Sequence, residues 1–161
     1  MSAEGRVSLP LKMHQGTHYQ VFGDTTKPTI VLVHGVGLDH TMWHRNVPLA
    51  NHLRLIIPDQ RGFGLSTEGH SKTKPLLSIT QLADDVAKLL DALQIDEPAV
   101  IAGISMGGYV AQHVAVRHPE KVSHLVLIDT KFSADTPEAR AGRSNLAVTV
   151  GRVGQKVLAD A

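Results

Sequence analysis

Short apolar runs and helical stripes take turns along the chain. Thr29–Val33 (TIVLV) is a continuous β-branched run bounded by His34-Gly35, the pattern of a strand buried on both faces, as in a parallel sheet. Leu53–Ile57 (LRLII), Ala99–Gly103 (AVIAG) and Leu125–Asp129 (LVLID) predict further short strands. The period changes between the second and third of these. Ile79, Leu82, Val86, Leu89, Leu90 and Leu93 fall on one helical face, with Asp84, Asp85, Lys88 and Asp91 on the other. Ser78 or Thr80 is the candidate cap of that helix. A second helix is predicted from Met106 to His118, stopped by Pro119. A third is predicted over Thr41–Leu53, with Pro48 near its start or kinking it. Upstream, Val7–Met13 and His18–Phe22 flank Gly16 and predict an antiparallel hairpin. Strand and helix in alternation predict an α/β fold: a three-layer, doubly wound, mostly parallel sheet with the hairpin as an antiparallel edge.

After Asp129 the texture differs. Thr136-Pro137-Glu138 is a helix start with proline at the first helical position. Leu146, Val150, Val153 and Val157 follow at helical spacing, although Gly151 and Gly154 weaken that helix. The expected division is a sheet-bearing core over residues 1–134 and a helical segment over 135–161.

Composition narrows the function classes. The 161 residues suffice for one domain, or one plus a fragment of a second. With 42% hydrophobic and 19% charged residues the chain is not of the disordered class. A formal net charge of +1 offers nothing to nucleic acid or to an anionic membrane surface, so neither is expected as a partner. The absence of cysteine excludes disulfides, thiolate metal sites and thiol nucleophiles, and fits a reducing, cytoplasmic compartment. No apolar run reaches the ~18 residues of a membrane span, and the opening MSAEGRVSLPLK does not read as a secretory signal.

The candidate chemistry sits where a strand meets a helix. Gly103-Ile104-Ser105-Met106-Gly107 is a G-x-S-x-G motif lying directly after a predicted strand and before a predicted helix, the setting of a nucleophile elbow. The serine must stand on a strained turn, flanked by residues without Cβ atoms, at the positive end of the following helix. The alternative is a glycine-rich strand-to-helix turn of the phosphate-binding kind. His34-Gly35-Val36-Gly37 makes a second glycine turn after Thr29–Val33, able to bring the Val36 N–H beside that of Met106. Two such donors make an oxyanion hole. A dinucleotide fingerprint is rejected, because its third glycine would fall on His40. His34 itself reads as a loop-bonding residue rather than a base. Gly35 and Trp43 are candidate substrate-pocket residues, with a core position as the alternative for Trp43 and its neighbour Met42. Asp59 and Arg61, in Asp59–Ser66, read as ties that hold a loop.

Four segments together resemble the α/β-hydrolase fold family: LVHGVGLDHTMW (residues 32–43), IIPDQRGFGLS (56–66), GISMGGYVAQHVAVRHPEKV (103–122) and LVLIDT (125–130). The forms GISMGG and HGVGLDHTMW are most similar to the esterase and 3-oxoadipate enol-lactonase branch. The resemblance implies a serine hydrolase of esters or lactones working without metal or cofactor. It makes Ser105 the nucleophile and the N–H groups of Val36 and Met106 the oxyanion hole. Residues 135–161 then correspond to the start of a helical cap.

That family orders its triad as nucleophile, acid, histidine, and no histidine follows His124. The expectation is a family member lacking the last strands of its sheet, with its base outside these residues. Asp129 is the candidate acid, with a loop or pocket carboxylate as the alternative. His113 and His118 lie on the helix leaving the elbow and are poor bases, while His40 and His44 lie nearer. An apolar strand at 125–129 with nothing beyond it invites self-association or a second chain covering its edge. The alternative to an active hydrolase is a fragment that folds and associates without significant turnover.

Overall fold

The computed structural model describes residues 12–14, 16–67 and 77–154. Six strands form one sheet: β1 (Lys12–His14), β2 (Thr17–Phe22), β3 (Thr29–Val33), β4 (Arg54–Pro58), β5 (Ala99–Ile104) and β6 (Val122–Ile128). Their order is β1-β2-β4-β3-β5-β6. The first two strands form the expected hairpin through Gly16, whose φ is +81°. The residues of the predicted first strand before Lys12 lie outside those described. β2 runs antiparallel to β4, while β4, β3, β5 and β6 are mutually parallel.

Three segments supply the layers on either side. α1 (Ile79–Ala92) and α2 (Met106–Arg117) follow β4 and β5, and a 3-10 helix over His40–Asn51 follows β3. Side-chain alternation along the strands sorts the core between them. Val31, Val33, Ile56 and Ile101 pack with Leu82, Val86, Leu89 and Leu90 of α1 and Val110 and Val114 of α2. The intervening positions Leu32, Leu55, Ile57 and Ala102 pack with Phe22 and Trp43 on the opposite face. The stripe predicted for α1 is the buried one. At the far end of this layer Arg117 and His118 both bond Asp84 at 2.8–3.0 Å, tying α2 to α1. The Arg117 fork, then His118, holds that carboxyl down at about 2.

The helix expected after β3 is present, over His40–Asn51, and is wound as 3-10 turns. Pro48 lies inside it, has no N–H to give to an α-type bond and would clash with the carbonyl four residues back. The last strand begins at Val122, earlier than predicted, because it pairs with β5 from Ala99↔Val122 onward, past a local register shift.

Among the described residues β6 has one strand neighbour, β5. Leu125, Val126, Leu127 and Ile128 are 39, 40, 41 and 36% exposed, although each belongs to the kind of run that β3 buries.

The chain divides into two compact units, residues 1–130 and 131–161. In the second, α3 (Pro137–Val153) starts as its sequence dictates. Thr136 accepts a bond from the Ala139 N–H, and Pro137 occupies the first turn. Arg143 pairs with Asp135 at 2.7 Å. The helix runs through Gly151 and ends at Gly154, whose φ is +87°. None of its described side chains is buried, and Val157 of the predicted stripe lies outside the described residues.

Candidate active site

β5 ends at Ile104 and α2 begins at Met106, so a single residue, Ser105, turns the strand into the helix. Its backbone sits at φ 53°, ψ −117°. That is the first central position of a type II′ turn, where glycine is the usual occupant. A side chain held there costs on the order of 1–3 kcal/mol, so neighbours must enforce it. They do: the Ser105 N–H donates to Ile128 O at 3.0 Å, and Ser105 O accepts from Gly108 N at 3.0 Å and from the Thr130 hydroxyl at 2.8 Å. The Ser105 side chain is exposed. No side chain caps α2, whereas the 3-10 helix, α1 and α3 are capped by Asp39, Ser78 and Thr136. The positive end of α2 is left open beside the hydroxyl.

The flanking glycines are needed for close approach. A Cβ on Gly107 would stand 2.6 Å from His34 O, and one on Gly103 would stand 2.7 Å from Gly108 N. The first turn of α2 thus lies against the backbone at the end of β3. Gly35 is buried there, and a Cβ on it would come to 3.4 Å from the Ser105 Cβ. From Gly35 the chain makes a tight turn, Leu38 N to Gly35 O at 3.4 Å, with Gly37 at φ +72° and Val36, 56% exposed, at its tip.

Below that turn lies a buried polar cluster. The Gln60 backbone N–H, which can only donate, points at His34 Nε2 at 2.9 Å. The ring proton is therefore on Nδ1, which donates to Gly35 O at 2.8 Å. Burial pushes the His34 pKa down, partly offset by the Gly35 bond, so the ring is the neutral tautomer these bonds require. With both nitrogens occupied, His34 is the loop-bonding residue its position suggested.

Asp59 is fully buried. Its Oδ1 accepts from the His40 N–H (2.7 Å) and from His40 Nδ1 (2.8 Å), and its Oδ2 from the Leu65 N–H (2.9 Å). Asp39, His40 and Asp59 bring potential ligand atoms within 4.8 Å of one another. Those atoms are already bound, Asp39 to Thr41 and Asp59 to His40 and Leu65. Arg61 grips Asp85 of α1 with two bonds of 2.6 Å. Asp59 and Arg61 both tie the loop, as their positions suggested.

The remaining candidates fall in different places. Trp43 is 6% exposed and packs among Phe22, Leu32, Leu55 and Ile57. Asp129 is exposed, with φ +41°, and lies between Ile128 and Thr130, which both bond the Ser105 backbone. His113 is 3.5 Å from the Thr80 hydroxyl, His118 bonds Asp84, and His44 bonds Gln20 at 3.1 Å. Among the described residues no histidine hydrogen-bonds Ser105. Sequence reasoning missed Thr130, whose hydroxyl holds the elbow and whose side chain fills the space beside Gly108. It also missed Gln60. Neither residue carries a pattern of its own, and only the fold brings them to the turn.

The geometry has counterparts among known proteins. A family model described as "alpha/beta hydrolase fold" matches residues 28–160. The pimeloyl-[acyl-carrier protein] methyl ester esterase of Vibrio campbellii is 35% identical over 130 residues, 78% of this chain and 46% of that protein. A thermophilic esterase from Thermogutta terrifontis superposes with a TM-score of 0.79 at 34% identity, covering 89% of this chain and 51% of that one. The enol-lactonase from Burkholderia xenovorans gives 0.77 at 32% identity, covering 94% and 57%. The chain spans about half the length of the proteins it matches.

Proposed function

The chain belongs to the alpha/beta hydrolase fold family, and on that premise we propose that it carries the nucleophile half of a serine hydrolase of carboxylic esters or lactones. The observation that carries this reading is the exposed Ser105 hydroxyl, held on a strained elbow at an uncapped helix start. Ser105 Oγ attacks the ester carbonyl carbon, and the carbonyl oxygen becomes an oxyanion held by the N–H groups of Val36 and Met106. The ester C–O bond then breaks, and the alcohol leaves with the proton that Ser105 gave up. Water attacks the acyl-enzyme, releases the acid and restores the hydroxyl. A lactone follows the same path, with alcohol and acid remaining in one molecule. The esterase and enol-lactonase similarities support this substrate class.

The proton acceptor comes from polypeptide other than these 161 residues, and Asp129 orients it as the acid. The open edge of β6 is covered as well, by that polypeptide or by a second copy of this chain. Residues 135–161 begin the helical cap. Unassisted, Ser105 reacts weakly, although an oxyanion hole with substrate binding retains roughly 10³–10⁴-fold over water. A second reading, a fragment that associates without turnover, draws on the exposure of Leu125–Ile128.

A fluorophosphonate probe and a p-nitrophenyl ester, applied to the chain and to Ser105→Ala, test the proposal. Slow labelling and a slow release of nitrophenol that both vanish in Ser105→Ala are expected. Equal labelling and equal background hydrolysis in the two proteins would overturn the catalytic reading and leave the second.

A further inference from the structure

The turn Gly35–Leu38 is tied down at both ends, and both ties lead to adjacent residues. On its N-terminal side, His34 accepts the Gln60 backbone N–H on Nε2 (2.9 Å), and the Gln60 side-chain N–H donates to His34 O (2.6 Å). On its C-terminal side, the Asp59 carboxylate takes both the backbone N–H and the ring N–H of His40. Asp59 and Gln60 are consecutive, at the end of β4, and both are buried. Their own positions are fixed in turn. Asp59 N donates to His18 O, and the Ser66 hydroxyl bridges Asp59 O and His18 N, each at 2.8 Å. A buried carboxylate and a buried amide keep such bonds tightly, because breaking one strands a polar group away from water.

We propose that Asp59 and Gln60 are positioning residues that clamp the Gly35–Leu38 turn from both ends and hold it against Ser105. Val36 is exposed, and the only backbone bond across the turn among the described residues is the 3.4 Å contact from Leu38 to Gly35. The clamp would set where the Val36 N–H points. Its catalytic meaning rests on the reading of that N–H as an oxyanion donor. Among the described residues Gln60 Oε1 has no partner, so the side chain acts there through its N–H. Replacement by methionine therefore removes one tie at nearly constant volume.

The test measures ¹⁵N relaxation and fluorophosphonate inactivation in the same samples of wild type, Gln60→Met and Asp59→Asn, all as the full chain. The backbone order parameters of Val36 and Gly37 are expected to fall from about 0.85 to below about 0.6 in the variants, with α1 unchanged. The maximal inactivation rate at Ser105 should fall by about 10²-fold while the half-saturating probe concentration stays constant, the mark of misplacement rather than lost binding. Should Asp59→Asn unfold, Gln60→Met decides alone. Unchanged order parameters at Val36 and Gly37 overturn the clamp. A loosened turn with an undiminished inactivation rate overturns its positioning role. If the wild type is not labelled at Ser105, the hydrolase reading fails, and the order parameters still judge the clamp.

Discussion

Among the described residues two serines stand at helix starts, Ser78 and Ser105, and they are built in opposite ways. Ser78 precedes α1 with an extended backbone, φ −108° and ψ 152°, and its hydroxyl accepts the Gln81 N–H while the Gln81 side chain takes the Ser78 N–H. Every part of that capping box serves helix stability. Ser105 precedes α2 in a conformation that favours glycine, and it makes no side-chain cap bond. One serine has spent its hydroxyl on the fold and the other keeps it free. Stability forgone at a buttressed, exposed position points to function there.

The largest effect that could break this comparison concerns the approach of α2 to β3. Gly107→Ala should destabilise the protein by about 3 kcal/mol, because the added methyl meets the His34 and Val33 carbonyl oxygens and backbone cannot step aside cheaply. Urea denaturation reads this, and an unchanged midpoint would show that the elbow is looser than described. Substitutions at the serines themselves should move stability in opposite directions. Ser78→Ala is expected to cost about 1 kcal/mol through loss of the cap, while Ser105→Gly should gain about 1 kcal/mol as backbone strain is released. If both destabilise alike, Ser105 is an ordinary cap.

The smallest effect separates the two helix starts by pH. The capping box at α1 does not titrate, but His34 beside α2 has a pKa held below its ordinary 6.5 by burial. Between the lowered folded value and 6.5 the unfolded chain binds the proton and the native chain does not, so stability falls as pH drops through that window. Native-state hydrogen exchange at pH 7 and below 6 should show protection lost around β3 and the α2 start before α1. His34→Gln should remove that dependence.

Much of the core was legible in the sequence. The α1 stripe reports its own burial, since a helix with apolar residues on one face has one way to shed water from them. The Gly-x-Ser-x-Gly spacing, between an apolar run and a helix, likewise marked the elbow. The 3-10 winding of His40–Asn51 was not legible, because apolar spacing cannot separate the two helical forms once a proline interrupts the bonding. Thr130 and Gln60 were invisible for another reason. A hydroxyl bonding a carbonyl 25 residues away leaves no periodicity to detect.

The sequence by itself determined where most of the strands and helices fall, and that a serine would be left at a turn between them, because burial periodicity and glycine placement are local properties of the chain. The tertiary structure alone decided that Asp59 and Gln60 of one strand end would hold the turn of another, and that Ile128 and Thr130 would hold Ser105 in a conformation it would not choose. Pairing between parallel strands brings together carboxyl ends that lie tens of residues apart. Bonds made there depend on register and packing, which no single segment encodes.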